Sequence, residues 1–158
     1  MRLPGPERPG SFDPPTNGHI DVIKRSLELF DDVVVGVVVN PSKTPLFKPE
    51  ERSEMLEQIF KDNDNLLVES FEGLLVDFAY KHKVDAIVKG LRAMTDFDYE
   101  FQMAQANYSL AEFETIFIPS SPEYGYLSSS MVKEIHSLGG NVSGLVPSQV
   151  MERLNDGK

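Results

Sequence analysis

The 158-residue chain contains no cysteine. That excludes disulfides and thiolate metal sites, and it fits a cytoplasmic protein. No apolar run approaches the roughly 18 residues needed to cross a membrane, and the N-terminus lacks the apolar core of a signal peptide. No membrane partner is therefore expected. Basic residues are scarce: 15 Lys and Arg face 25 Asp and Glu, a net charge of −10. Binding to a nucleic-acid backbone needs a basic field, so nucleic acid is not an expected partner either. No Ser-His-Asp or Cys-His arrangement can be assembled. Histidine is sparse, and His82 and His136 have no partners at ligand spacing, so both read as surface residues.

What is present suits one globular domain spanning residues 1–158, with 41% hydrophobic and 25% charged residues. The chain is organised around Pro9-Gly10-Ser11-Phe12-Asp13-Pro14-Pro15-Thr16-Asn17-Gly18-His19. This loop runs into a helix marked by Ile20, Ile23, Leu27 and Phe30, at spacings of three and four. Thr16 or Asn17 can cap that helix. His19 then lies in its first turn, where unpaired N–H groups and the positive end of the dipole attract a phosphate. Burial and the dipole favour a neutral imidazole and a bound polyphosphate favours imidazolium, so the sequence leaves its charge open. Gly5 to Gly10 has the glycine spacing of a P-loop, but Ser11-Phe12 stands where Lys-Ser/Thr is required, and that reading fails.

Residues 1–8 leave open whether a first strand is present. Pro4, Gly5 and Pro6 interrupt any regular element, although a phosphate-binding loop ordinarily follows a strand. Val33 to Val39 is a nearly unbroken β-branched run, as in a parallel strand covered on both faces. A helix opens at Pro49 with Met55, Leu56, Ile59 and Phe60. Strands are expected at Leu66–Phe71, Val84–Val88 and Thr115–Ile118, with intervening helices marked by Leu75 and Phe78, and by Phe97, Phe101 and Tyr108. Thr95 reads as the cap of the latter, with Asp98 three residues on. Asp96 and Asp98, without histidine, are weak evidence for metal. The aromatic and Met residues at helical spacing read as core. A Ser-Pro-Tyr-Gly loop precedes Ser128-Ser129-Ser130, one of which caps a helix stopped by Gly139-Gly140. A last helix begins at Pro147.

Alternating strands and helices imply right-handed βαβ units, and so an α/β fold with a doubly wound parallel sheet of about five strands and helices on both faces. Lys43, Lys89 and Arg92 each fall near the C-terminal end of a strand, where such sheets bind ligands. An acidic chain thus gathers cations on the rim where a nucleotide would lie.

Together these motifs resemble a known family. Pro9 to Pro14 with Thr16-Asn17-Gly18-His19 is similar to the T/H-x-G-H signature of the nucleotidyltransferase α/β phosphodiesterase superfamily, whose fold is Rossmann-like. Asn40 to Lys43, Lys89 to Arg92, Asp96 to Glu100 and Tyr126 to Glu134 narrow the likeness to bacterial phosphopantetheine adenylyltransferases. The resemblance implies adenylyl transfer from ATP to 4′-phosphopantetheine, with Mg2+, in a homohexamer that takes coenzyme A as a product-like inhibitor. It implies ATP contacts at Ser11, Phe12, His19, Gly90, Leu91, Arg92, Glu100, Tyr124, Gly125, Tyr126, Leu127, Ser128, Ser129 and Ser130. Acceptor contacts are implied at Ser11, Lys43, Leu75 and Lys89, and catalytic roles for His19, Lys43 and Arg92. In this chemistry the substrate phosphate is the nucleophile, so the missing triad is expected. Competing readings are a sister nucleotidyltransferase acting on nicotinamide mononucleotide or glycerol phosphate, and a non-catalytic nucleotide-binding protein. Lys89 replaces an arginine common in the family and offers charge without a bidentate fork.

Overall fold

The valine run forms β2 (Val33–Val38), with Val33, Val35 and Val37 buried on one face. In the computed structural model, residues 6–42 and 44–156 are described, except for the side chains of 6–9, 94 and 95. The other strands are β1 (Pro6–Gly10), β3 (Leu66–Phe71), β4 (Ala86–Leu91) and β5 (Glu114–Pro119). They form one five-stranded sheet in the order β3-β2-β1-β4-β5. Every pairing is parallel.

The first strand, left open by the sequence, is present as β1. Its backbone pairs with β2 from Glu7↔Val34 to Gly10↔Val37, and with β4 at Pro6↔Ala86 and Glu7↔Ile87. Pro6 and Pro9 each remove one ladder donor. The segment still sits between two strongly β-forming neighbours, and their pairing overrides its weak local propensity. Sheet order reverses at β1 and β4, which is the switch point of such a fold.

Helix α1 (Asn17–Leu29) and α2 (Pro49–Ile59) share a core with the sheet. Ile20, Ile23, Leu56 and Phe60 pack there with Val33, Val35, Val37, Val68 and Val88. Ile87 and Val88 are both fully buried. Consecutive strand residues point to opposite faces, so β4 is covered on both. Helix α3 (Leu75–His82) and α4 (Met94–Ala111) contact one another. A second core lies among α2, α5 (Ser129–Ser137) and α6 (Ser148–Asp156), around Phe47, Met55, Leu127, Val132 and Val150.

Three further expectations change. β4 extends through Leu91, so Lys89, Gly90 and Leu91 belong to the strand rather than following it, registered against Phe117, Ile118 and Pro119. The cap of α4 is Ala93 rather than Thr95, because the extended backbone at Ala93 already receives the Asp96 N–H at 3.0 Å. Most of the aromatic stripe of α4 is not core: Tyr99, Phe101, Met103, Tyr108 and Leu110 are exposed, whereas Phe97 is half-buried against Phe117 and Asn107 is buried.

His82 also departs from a surface reading. Its side chain is only 12% exposed, it packs on the Phe78 ring, and it lies 3.3 Å from Glu69. The Glu69 carboxyl is held below its usual range, chiefly by a hydrogen bond from Lys81, with His82 adding to the effect against partial burial. A carboxylate depressed in the folded state contributes stability above its unfolded pKa, and loses it as pH falls through the folded value. Glu69→Gln is therefore expected to lower stability somewhat at neutral pH and to leave it nearly unchanged in acid, where the carboxyl is protonated in both states, so that the acid limb below about pH 5 is flattened; urea titrations at several pH values check this.

Gly10 is fixed by sterics. A Cβ there would meet Cζ of the Phe12 ring at 2.9 Å. Phe12 is itself buried at φ 49, a left-handed conformation costly for a bulky residue. Gly10→Ala should cost about 1–3 kcal/mol by overpacking, read as a thermal midpoint lowered by about 2–4 °C per kcal/mol.

Candidate active site

A cleft of about 280 Å³ opens at the C-terminal ends of β1 and β4. It is lined by Gly10, Ser11, Phe12, Thr16 and His19 from the signature loop and α1, by Lys89, Gly90 and Arg92 from β4 and its end, by Asp96 and Glu100 of α4, and by Leu127 to Ser130. Most of the residues assigned from sequence are thus brought together. Leu91, Leu75, Tyr124, Gly125 and Tyr126 do not line it. Leu75 opens α3, half-buried, and Tyr126 is exposed. The Tyr124 side chain lies against the Gly18 position at the start of α1. Its hydroxyl is held neutral to higher pH than usual, first by a hydrogen bond with Glu123. Lys43 lies outside the described residues.

Thr16, rather than Asn17, caps α1. Its hydroxyl accepts the His19 N–H, and its own N–H donates to Nδ1 of His19 at 3.0 Å. Histidine thus occupies the place that Glu or Gln holds in an ordinary capping box. The Phe12 ring meets the imidazole edge-on at 5.0 Å. Asn17 instead anchors the helix start to the far loop, donating from its backbone to Leu145 O and from Nδ2 to Gly144 O.

Ser128 caps α5, accepting from Met131 N at 3.1 Å. Ser129 Oγ donates to Pro14 O at 2.7 Å, which draws the start of α5 against the signature loop. Two helix N-termini therefore converge on the cleft, each with backbone N–H groups lacking an intrahelical acceptor.

The cations of the cleft carry counter-ions. Lys89 Nζ lies 3.3 Å from Glu100, and Arg92 Nε lies 3.2 Å from Asp96. Arg92 Nη1 also donates to Leu127 O. Glu100 is thus an ion-pair partner in the body of α4.

The groups that hold the loop were not assigned from sequence. Asp13 is buried and accepts from Leu46 N and Phe47 N, each at 2.9 Å, and from Lys133 Nζ at 3.1 Å. Arg52, also buried, donates to Ser11 O at 2.6 Å and Val38 O at 3.1 Å. Burial lowers the Arg52 pKa and the Asp13 and Glu50 charges oppose that, but a guanidinium stays protonated throughout the working range. One signal pointed to Arg52: it falls in line with Met55, Leu56 and Ile59 on the apolar stripe of α2. Asp13 had no such signal, since its partners lie more than thirty residues away.

A parallel sheet with two helix N-termini converging at its switch point is the arrangement of nucleotide-binding α/β proteins. The chain belongs to the cytidylyltransferase-like family, whose model matches residues 8–135. It is 53% identical over 148 residues to the phosphopantetheine adenylyltransferase of Streptomyces coelicolor, covering 94% of this chain and 93% of that one. The phosphopantetheine adenylyltransferase of Caldanaerobacter subterraneus subsp. tengcongensis is 56% identical over 147 residues, 92% of each chain. That of Frankia casuarinae is 51% identical over 152 residues, 94% of each.

Asp13→Asn removes the Lys133 counter-charge and turns an amide NH₂ toward one of two backbone donors. It is expected to destabilise the fold by about 1–3 kcal/mol, measured as a lower urea midpoint with unchanged slope.

Proposed function

We propose that this protein transfers the adenylyl group of ATP to 4′-phosphopantetheine, giving dephospho-coenzyme A and pyrophosphate. The observation that carries this reading is the identity of 51–56% to phosphopantetheine adenylyltransferases over at least nine-tenths of the chain. The cleft supports it with donors suited to polyphosphate and with no need of a protein nucleophile.

A phosphate oxygen of the acceptor forms a bond to the α-phosphorus while the bond to the bridging oxygen breaks, and pyrophosphate leaves with that electron pair. The protein's part is to position two polyanions and to offset developing charge. In this reading His19 donates to the α-phosphate region, and Ser11 and Phe12 border the nucleotide. Arg92 with the Ser129 and Ser130 amides holds the β- and γ-phosphates, and Lys89 with Lys43 orients the acceptor phosphate. Tyr124 to Leu127, Gly90, Leu91 and Glu100 complete the nucleotide side, and Leu75 the acceptor side.

Mg2+ belongs to this reading as an ion carried by the ATP phosphates, where it would neutralise charge on the leaving group. Asp96, Glu100 and the serine hydroxyls of the cleft are oxygen donors of the hard kind that Mg2+ accepts beside phosphate and water. Residues 1–158 act as one nucleotidyltransferase domain, working in the cytoplasm. Coenzyme A, which contains the product, competes for the same cleft. The exposed Tyr99, Phe101, Met103, Tyr108 and Leu110 of α4 support self-association, to a homohexamer on the family pattern.

The test is pyrophosphate release from ATP with 4′-phosphopantetheine, nicotinamide mononucleotide or glycerol phosphate. Release with the first alone is expected, and release only with another acceptor, or with none, overturns the proposal. His19→Ala is expected to lower kcat by about 10²–10³-fold, as for loss of one preorganised donor, with the fold retained and the melting midpoint lowered by loss of the capping-box hydrogen bond.

A further inference from the structure

The Thr16–His19 box contains a constraint on protonation. Two groups of Thr16 face Nδ1 of His19: the hydroxyl at 3.1 Å and the peptide N–H at 3.0 Å. The hydroxyl is indifferent, since it can donate to a bare Nδ1 or accept from a protonated one. The peptide N–H can only donate. A proton on Nδ1 would set two N–H groups against each other at that distance and leave the buried Thr16 peptide N–H without its acceptor. His19 also sits in the first turn of α1, where the positive end of the helix dipole disfavours a cation. Among the described residues, the charged groups lining the same cleft are Lys89, Arg92, Asp96 and Glu100, which form two ion pairs. Asp21, two residues on in α1, is engaged with Ser121 and Arg25.

We propose that His19 works as a neutral imidazole whose Nε2–H is the donated proton, and that Thr16 is the positioning residue that imposes this tautomer. The inference rests on the adenylyl-transfer reading only for what the Nε2–H is donated to. The ring is then a fixed dipole. It takes no proton from the acceptor, whose phosphate oxygen is already anionic, and gives none to pyrophosphate. The backbone of Thr16 supplies the constraint and its hydroxyl closes the box. Sequence alone leaves the charge of His19 undecided, and the direction of one peptide N–H decides it.

The experiment is a long-range ¹⁵N–¹H correlation spectrum of the full chain labelled with ¹⁵N-histidine, at pH 7, without ligand and with Mg-ATP. His19 is assigned by its absence in His19→Gln. An unprotonated, pyridine-like Nδ1 with a protonated Nε2 is expected in both states. Two protonated nitrogens in the nucleotide complex, or a proton on Nδ1 alone, overturn the proposal. Thr16→Ala keeps the peptide N–H and removes only the hydroxyl, so the bare Nδ1 and protonated Nε2 are expected to persist while the loosened box lowers kcat about tenfold or more with little change in the KM for ATP. Thr16→Ser should restore kcat. A proton appearing on Nδ1 in the alanine variant overturns the assignment of the constraint to the peptide N–H, and an alanine variant with parental kcat removes the Thr16 hydroxyl from the positioning role. Failure of the pyrophosphate assay with the expected tautomer present would strike the adenylyl-transfer reading alone, because the spectrum needs no turnover.

Discussion

The carboxylate of Asp13 is the fixed point on which the cleft depends. One buried side chain holds two backbone donors of the loop after β2 and the ammonium of Lys133 in α5. The signature loop, the loop that follows β2 and the helix with the serine N-terminus are thereby referred to a single position. Arg52 completes the arrangement from below by collecting the carbonyls of Ser11 and Val38. A buried acid and a buried base are costly groups, and each is tolerated because its hydrogen bonds are made. The loop between them then carries a buried phenylalanine at positive φ without slack.

Much of this was legible in the residues. The valine run of β2, the apolar stripes of α1 and α2 and the glycine stop after α5 announce themselves because local propensity and burial agree. The gathering of Ser11, His19, Lys89 and Arg92 followed from their places at strand ends. What could not be read was set by partners distant in the chain. β1 is a strand because β2 and β4 pair with it, against its own prolines. The start of α4 is fixed by backbone geometry at Ala93, which no side chain advertises. His82 is held by Glu69, a residue of the neighbouring strand. Asp13 looks in sequence like one more turn former.

Charge is arranged the same way, by pairing at a distance. A chain of net charge −10 attracts a polyanion poorly by its overall field. In the cleft, acids on α4 hold the cations at Lys89 and Arg92 ready, so the described side chains there nearly cancel. The two helix ends then supply a polarity that does not depend on counter-ions moving aside. A phosphate reaching Lys89 or Arg92 would have to displace Glu100 or Asp96 rather than meet bare charge.

The pairing of β1 with β4 has a mechanical consequence. Among the described residues it is confined to Pro6↔Ala86 and Glu7↔Ile87, whereas β4 and β5 are registered from Ala86↔Glu114 through Leu91↔Pro119. Past those pairs β1 and β4 part, and Gly10 and Ser11 face Lys89 and Gly90 across the cleft rather than through a ladder. A ligand there would span the gap that backbone hydrogen bonds leave open and would tie the ends of the two strands together.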